Sequence, residues 1–404
     1  MQTGDVDATS RRKPGLGVLI ALAAFGPAAL NIFLPSMPGL QASLNIDNAT
    51  AQLTLTVYLG ALAIGQLFVG PLSDRYGRRP VALGGILLFT IATFFCSQAG
   101  TITELLIARV FQAAGGCAGM ALSRAVVRDM YGRDKAASWI GYVTMAMVTI
   151  PMLAPVFGAY LDEWAGWKTG FYFMTGWGVV TFAIIWGGLH ETHHNPVVAM
   201  NMRSVSANIR KLLGEPAFLG YAMNSSCGAG AFFAFLAAAP FVMVQTYGLT
   251  PSAFGIYFIT TSFGYMLGNF LSGRYAEVAG ANRMILIGTW LMLLGLALLV
   301  LLSVVLPGHP VGIFLPMFVI ALANGVSIPS AMASAISVRP EITGTGAGIV
   351  GFLQFGVGMI ATWLVGIVHG NTSVAMVMVM AGCGICSFFA MLVALRASRD
   401  LEIQ

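Results

Sequence analysis

The sequence predicts an all-α membrane protein: twelve transmembrane helices in two pseudo-symmetric six-helix bundles. Three observations carry this. The 404 residues are 57% hydrophobic and only 9% charged, against about 25% charged in a soluble domain. A chain so poor in charge must be solvated by lipid. Twelve apolar stretches reach the ~20 residues that a bilayer span requires. One extended polar break, 191–216, divides them six and six.

In chain order the spans are expected at 14–37, 51–73, 80–98, 103–124, 136–160 and 169–190. The second set follows at 217–243, 251–274, 283–306, 311–337, 342–369 and 373–396. Residues 1–13 are a polar N-terminus expected to be disordered, and the first apolar run lacks a convincing cleavage site for a signal peptide. The domains are then 14–190 and 217–396, joined by the linker 191–216 and followed by a tail, 397–404. Lys and Arg set the orientation. With both termini cytoplasmic, 18 of the 20 basic residues lie inside, Lys168 lies outside and Arg109 lies within a span. The net charge of +5 therefore reflects topology, and no basic soluble face calls for a nucleic-acid partner.

The first span carries Gly26-Pro27 and then Asn31-Ile-Phe-Leu-Pro-Ser-Met-Pro38. Between spans two and three lies Gly70-Pro71-Leu72-Ser73-Asp74-Arg75-Tyr76-Gly77-Arg78-Arg79-Pro80. One Asp and three Arg are packed into this short link. Gly70 and Gly77 permit close approach of the backbone, while Pro71 and Pro80 are expected to bracket the turn. The fourth span holds the lone intramembrane charge, Arg109, followed by Gln112, Gly115 and Gly119. A buried Arg is costly in lipid and faces a bundle interior or an aqueous cavity; the alternative is snorkelling past Glu104 to the outer surface. Arg124, Arg128 and Asp129 close that helix. In the fifth span Pro151 and Pro155 kink the helix and Gly158 permits close packing, which suits a gating interface or a plain packing kink.

The second half repeats the first. Leu72-Ser-Asp-Arg-Tyr76 reappears 199 residues later as Leu271-Ser-Gly-Arg-Tyr275, with Gly273 in place of Asp74. Duplication about an axis normal to the membrane is a known transporter organisation. The five cysteines fall in apolar stretches, and Cys383-x-x-Cys386 lacks the βαβ context of a redox motif. His190, His193 and His194 read as a solvated loop rather than a metal site. No HExxH, P-loop or paired intramembrane Asp supports a membrane enzyme.

These motifs together resemble the major facilitator superfamily, in the form of its drug-exporting members. The 70–80 link resembles the signature between the second and third helices. Arg109-x-x-Gln112-x-x-Gly115 resembles the fourth-helix antiporter motif, and Pro155-x-x-Gly158-Ala159 the fifth-helix one, with Ala159 replacing its last Gly. Leu34-Pro-x-x-Pro38 and Arg124-Ala-x-x-Arg128-Asp129 narrow the resemblance to the bicyclomycin-resistance/chloramphenicol-exporter branch (Bcr/CflA). The resemblance implies a monomeric secondary transporter of a bacterial inner membrane that exports small, largely apolar compounds in exchange for protons. No cofactor beyond the proton gradient is implied, and Asp74 with Arg75, Arg78 and Arg79 would latch the cytoplasmic side. A facilitator or importer on the same fold is the alternative.

Asn31 departs from the family pattern, which has an acid there. All fifteen acidic residues fall in loops, tails or helix ends, so coupling is expected to use a helix-end acid, Glu104 above all, or to be weak. The polar and aromatic residues Asn31, Tyr58, Met147, Asn224, Phe232, Tyr257, Asn324 and Gln354 are expected to line a mixed central cavity.

Overall fold

The computed structural model describes residues 14–130, 133–192, 202–368 and 372–403; the side chains of Arg124, Arg128 and Arg203, and residues His193 and His194, lie outside the described residues. Helix α1 (Leu16–Phe33) passes through a 3-10 turn, Leu34–Ser36, into α2 (Met37–Leu44). Then follow α3 (Asn48–Tyr76), α4 (Arg78–Gln98), α5 (Ile102–Met130), α6 (Arg133–Ala165) and α7 (Lys168–Gly188). A short helix, α8 (Met202–Leu213), occupies the expected linker. The second set is α9 (Pro216–Phe241), α10 (Pro251–Ala279), α11 (Ala281–Val305), α12 (Val311–Ser337), α13 (Thr343–Ile367) and α14 (Thr372–Ile403). Counting α1 and α2 as one span, this gives the twelve expected long segments. Ten are long and apolar enough to cross a membrane among the described residues; α6 and α10, with 33 and 29 residues, complete the set by length and position. Helices are the form such a chain must take, because lipid offers the backbone no hydrogen-bond partners.

Helix ends follow local chemistry. Asp47 accepts a hydrogen bond from the Thr50 N–H at 2.9 Å and so starts α3, while Thr250 and Pro251 start α10 in the same way. The links α3–α4 and α10–α11 are each a single glycine with positive φ, Gly77 at 94° and Gly280 at 84°. The repeat in the sequence thus falls at two hairpins, each turning on a glycine whose φ other side chains rarely adopt, though not in register with the turns: Tyr76 directly precedes Gly77, while four residues separate Tyr275 from Gly280.

One expectation is corrected here. The 70–80 stretch is not a loop bracketed by prolines: α3 runs through Gly70 and Pro71 to Tyr76, and Pro80 lies in the first turn of α4. A proline in a first turn costs no hydrogen bond, and the helix simply outlasts the apolar run.

Helices α1 and α3–α7 pack among themselves, as do α9–α14, and the two sets meet along two seams, α3 with α13 and α6 with α10. We term the end holding the Gly77 and Gly280 links the base and the opposite end the crown. Helix α8 is fastened to the second set at the base. Its Lys211 pairs with Glu341 at 3.0 Å, Arg339 pairs with Glu215 just before α9, and Leu212 is buried with Phe218 and Ile349.

Candidate functional site

At the base, the hairpin α3–α4 gathers an ionic cluster. Arg78 is largely buried and donates to Asp74 at 2.6 Å and to Asp129 of α5 at 3.0 Å, with Ser73 as a third partner. Glu191, just past α7, accepts from the backbone N–H groups of Arg78 and Arg79 at 2.9 and 3.2 Å, so it caps the start of α4. A side chain at Gly77 would collide with this carboxylate. Arg79 reaches the Trp186 carbonyl at 2.9 Å and lies over its ring, and Arg75 lies over Tyr76. The cluster therefore ties α3, α4, α5 and α7 together at one point. Sequence reading singled out Asp74 and the arginines but missed Glu191, which lies 113 residues from its partner.

Asp74 is the more exposed of the two carboxylates on Arg78. Asp74→Asn should leave Arg78 held by Asp129, with stability changed by less than about 1 kcal/mol, while transport falls. The initial rate of dye export from proteoliposomes, set against the yield of monodisperse protein, checks this. Unchanged export in a folded variant counts against the latch.

The seams are built from close backbone contact. A Cβ at Gly255 of α10 would lie 2.8 Å from the Val156 Cα and 3.1 Å from the Pro155 carbonyl of α6. On its other face, Gly158 of α6 abuts the Ile32 backbone of α1. Pro155 and Gly158 thus sit where α6 is pressed between the other half and its own, with Pro151 one turn earlier in the same helix. Along α3–α13, Gly366 lies against Ala49 and Gln52, Gly60 against Met359 and Gly351 against Gln66, and the Thr56 and Thr362 hydroxyls meet at 2.9 Å. Nearer the base these contacts end: Gly348 still lies against the Gln66 carbonyl, but a Cβ at Gly70 or at Gly344 would meet open space, with nothing within 4 Å. The crown is further closed by hydrogen bonds between Gln245 and Asn48, and between the Ser252 N–H and Glu163 at 2.8 Å.

Arg109 lies inside the first half. It is fully buried, with its guanidinium 4.2 Å from the Tyr58 ring, 4.9 Å from Phe33 and 5.9 Å from Phe171. Nη1 donates to Gln112 at 2.7 Å, Nε donates to the Thr54 carbonyl, and Gln112 passes the chain on to Thr93 at 2.8 Å. Nη2 has no partner. The aromatic faces and the two acceptors replace a counter-ion; no acid pairs with this arginine among the described residues. The expected cavity-facing arginine is instead sealed in this conformation, because α1, α3 and α7 close over it. Glu104, at the crown end of the same helix, accepts from the Gly100 and Thr101 N–H groups and caps its own helix.

The expected cavity residues divide into two groups. Met147, Phe232, Tyr257 and Gln354 are half-buried, as lining residues are. The others are structural in this conformation. Tyr58 is fully buried against Arg109 and donates to the Gly26 carbonyl at 3.3 Å. Asn224 donates to Thr289, the Ser387 carbonyl and the Ser387 hydroxyl, binding α9 to α11 and α14. Asn324 donates to the Gly228 carbonyl at 3.0 Å, and Asn31 to the Pro27 carbonyl one turn before it at 2.8 Å. In lipid an amide is inserted into a helix bundle most cheaply where another backbone accepts its protons.

Known proteins agree with this architecture. The profile described as Major Facilitator Superfamily matches residues 18–362. The chain is 28% identical over 377 residues to a bicyclomycin resistance protein homolog of Haemophilus influenzae, covering 93% of this chain and 94% of that one. It is also 28% identical to a chloramphenicol resistance protein of Pseudomonas aeruginosa (85% and 82% covered) and to multidrug resistance protein D of Escherichia coli (85% and 86%). Among solved structures, a D-xylose–proton symporter superposes with a TM-score of 0.74 at 16% identity, over 95% of this chain and 96% of that one. A peptide transporter of the POT type superposes with a TM-score of 0.76 at 13% identity, over 96% and 95%. The chain is a multi-pass membrane transporter rather than an enzyme, and it belongs to the Major Facilitator Superfamily.

Proposed function

We propose that this transporter exports small, largely apolar compounds, antibiotics among them, across a bacterial inner membrane in exchange for protons. The names of its relatives support the substrate class. The positive-inside count supports a cytoplasmic base, with both termini inside and the crown outside. The halves 14–190 and 217–396 rock as two bodies of a monomer, and the site residues act in pairs of seams. One observation carries alternating access: the halves interlock by glycine contacts at the crown, and these contacts end before Gly70 and Gly344 near the base. Closed outside and parted inside is one of the two end states such a cycle needs. A susceptibility panel in a pump-deficient host, with dye accumulation measured beside it, tests the reading. Unchanged accumulation on expression, at verified protein levels, counts against export.

Asn31 favours a second reading, in which coupling to protons is weak. Its amide cannot titrate, and Glu104 is engaged in capping. Asn31→Asp should make export more dependent on an imposed pH gradient. At that position a carboxyl group keeps the hydrogen bond to Pro27 only when protonated, so its proton and the local structure become linked. Export from proteoliposomes with and without a gradient reads this directly. Steep uphill export by the parent, stopped by a protonophore and unaltered by Asn31→Asp, shows that coupling lies elsewhere.

A further inference from the structure

The crown carries an acid that neither the signature motifs nor the seams account for. Asp162 lies two residues past the expected end of the fifth span at 160, in the last turn of α6. Its neighbour Glu163 is exposed and faces the other half, accepting the Ser252 N–H of α10. Asp162 faces inward instead. Its carboxylate is pressed against Gly39 of α2, where a Cβ would lie 3.3 Å from Oδ1 and 3.4 Å from Oδ2. Oδ1 is buried without a hydrogen-bond partner, and the Ser36 hydroxyl is the one neighbouring polar side chain that favours the charged form. The segment that covers it, Leu34–Ser36 with α2, also touches α9 and α10. The cover of Asp162 is therefore part of the contact between halves.

We propose that Asp162 is a proton-binding site of the external gate, occupied when the crown is closed and emptied when it opens. The inference rests on the proposed orientation, with the crown outside. An ionised carboxylate with an unpartnered buried oxygen is penalised, whereas a protonated one is not. Closing the crown thus favours proton uptake from outside, and outside acidity favours closing. The site acts on the gate itself and needs no proton to cross the membrane there.

The charged surroundings fit this. Helix α1, the turn and α2 contain no charged residue from Leu16 to Leu44. On α10, Arg274 and Glu277 lie at the base. At the start of α7, Lys168 lies over the Trp167 ring, and on α5 Glu104 is capped while Arg109 is sealed beneath Tyr58. That leaves Glu163, a like charge. Burial pushes the Asp162 carboxyl up to about 6, with the Ser36 hydroxyl opposing and Glu163 adding to the rise. In an open crown the group returns to its ordinary carboxylate range near 3.8. The sign follows: the closed state, whose acid is raised, is favoured fully only below both values and loses ground as pH rises. Between pH 5 and 7 the closed-to-open ratio should fall about fivefold, after discounting for partial exposure.

The test is a distance titration in nanodiscs. Spin labels at Thr101→Cys and His309→Cys, both exposed at the crown on opposite halves, are placed in a variant lacking the five native cysteines. The parent should shift toward the longer distance from pH 5 to 7. Asp162→Asn should stay closed throughout, and Gly39→Ala, which displaces the carboxylate toward water, should move the transition to lower pH. Glu163→Gln should keep the transition while favouring the open state at every pH. A pH shift that survives in Asp162→Asn, or is lost in Glu163→Gln with Asp162 intact, overturns the assignment. Protonophore-insensitive export by the parent would remove proton exchange and leave this gate titration standing.

Discussion

Arg109→Met is expected to abolish transport while leaving the fold as stable as before or more so. The two effects separate because the arginine is a buried cation with no carboxylate paired to it among the described residues. Its removal forfeits hydrogen bonds to Gln112 and the Thr54 carbonyl, each costing about 1–3 kcal/mol when a buried partner is left alone. It also relieves an unpaired buried charge, worth several kcal/mol, and methionine refills the space among Phe33, Tyr58 and Phe171 with apolar volume. The expectation for transport follows from that cost: an unpaired charge buried in this way is expected to serve the cycle rather than the fold. Arg109→Lys should fail as well, since an ammonium cannot hold both acceptors in one plane while lying on Tyr58. Thermal unfolding in detergent and export from proteoliposomes, measured on the same preparations, check both halves of the expectation. A large fall in Tm for Arg109→Met would make the residue a structural anchor, and retained export would remove it from the mechanism.

Gly255→Ala and Gly158→Ala should fail for different reasons, though each adds one methyl group. The first places Cβ against backbone atoms of α6 across the seam between halves. Backbone cannot swing aside, so the cost, about 1–3 kcal/mol for overpacking, falls on the closed crown alone. That should displace the gate about five- to 150-fold toward the open state and suppress export, with the Tm of the halves unchanged. The second presses on Ile32 inside the first half and is present in every state of the cycle, so it should lower Tm. A cysteine replacing Ala49, which faces Gly366 in the closed seam, reports the difference. In a background lacking native cysteines, thiol reagents should reach it readily in Gly255→Ala and slowly in the parent. Equal reactivity in both would place the glycine outside the gate.

Much of this was legible in the sequence, and the reason differs by feature. Span ends are legible where proline or charge flanks the apolar run: the tenth span expected at 311–337, between Pro310 and Arg339, is α12, Val311–Ser337. The repeat is legible because Leu-Ser-x-Arg-Tyr recurs near the base end of α3 and of α10; the turning glycines are not part of it, since Gly77 has Ala276 as its counterpart and α10 runs a further turn to Gly280. Faces were not legible. A helix in lipid is apolar all round, so no stripe distinguishes the side that meets a cavity from the side that meets a neighbour. Residue type alone points Tyr58, Asn224 and Asn324 toward a cavity, whereas each donates its hydrogen bonds inside one half. Arg109 was found as a lone charge, but its aromatic cage is drawn from three other helices. The cap by Glu191 and the burial of Asp162 by Gly39 are contacts distant in sequence, and spacing carries no trace of them.

The fastening of α8 sets a length limit on the machine. The first half holds the chain as far as Thr192, through the Glu191 carboxylate on the start of α4. The second half holds it from α8 onward, through Lys211, Leu212 and the Arg339–Glu215 pair. Nine residues separate these two anchors in the sequence, and no chain of that length spans more than roughly 30 Å. Covalent length alone therefore caps how far Thr192 and Met202 can separate in any state of the cycle, and deleting residues between them should lower that cap before it disturbs either half.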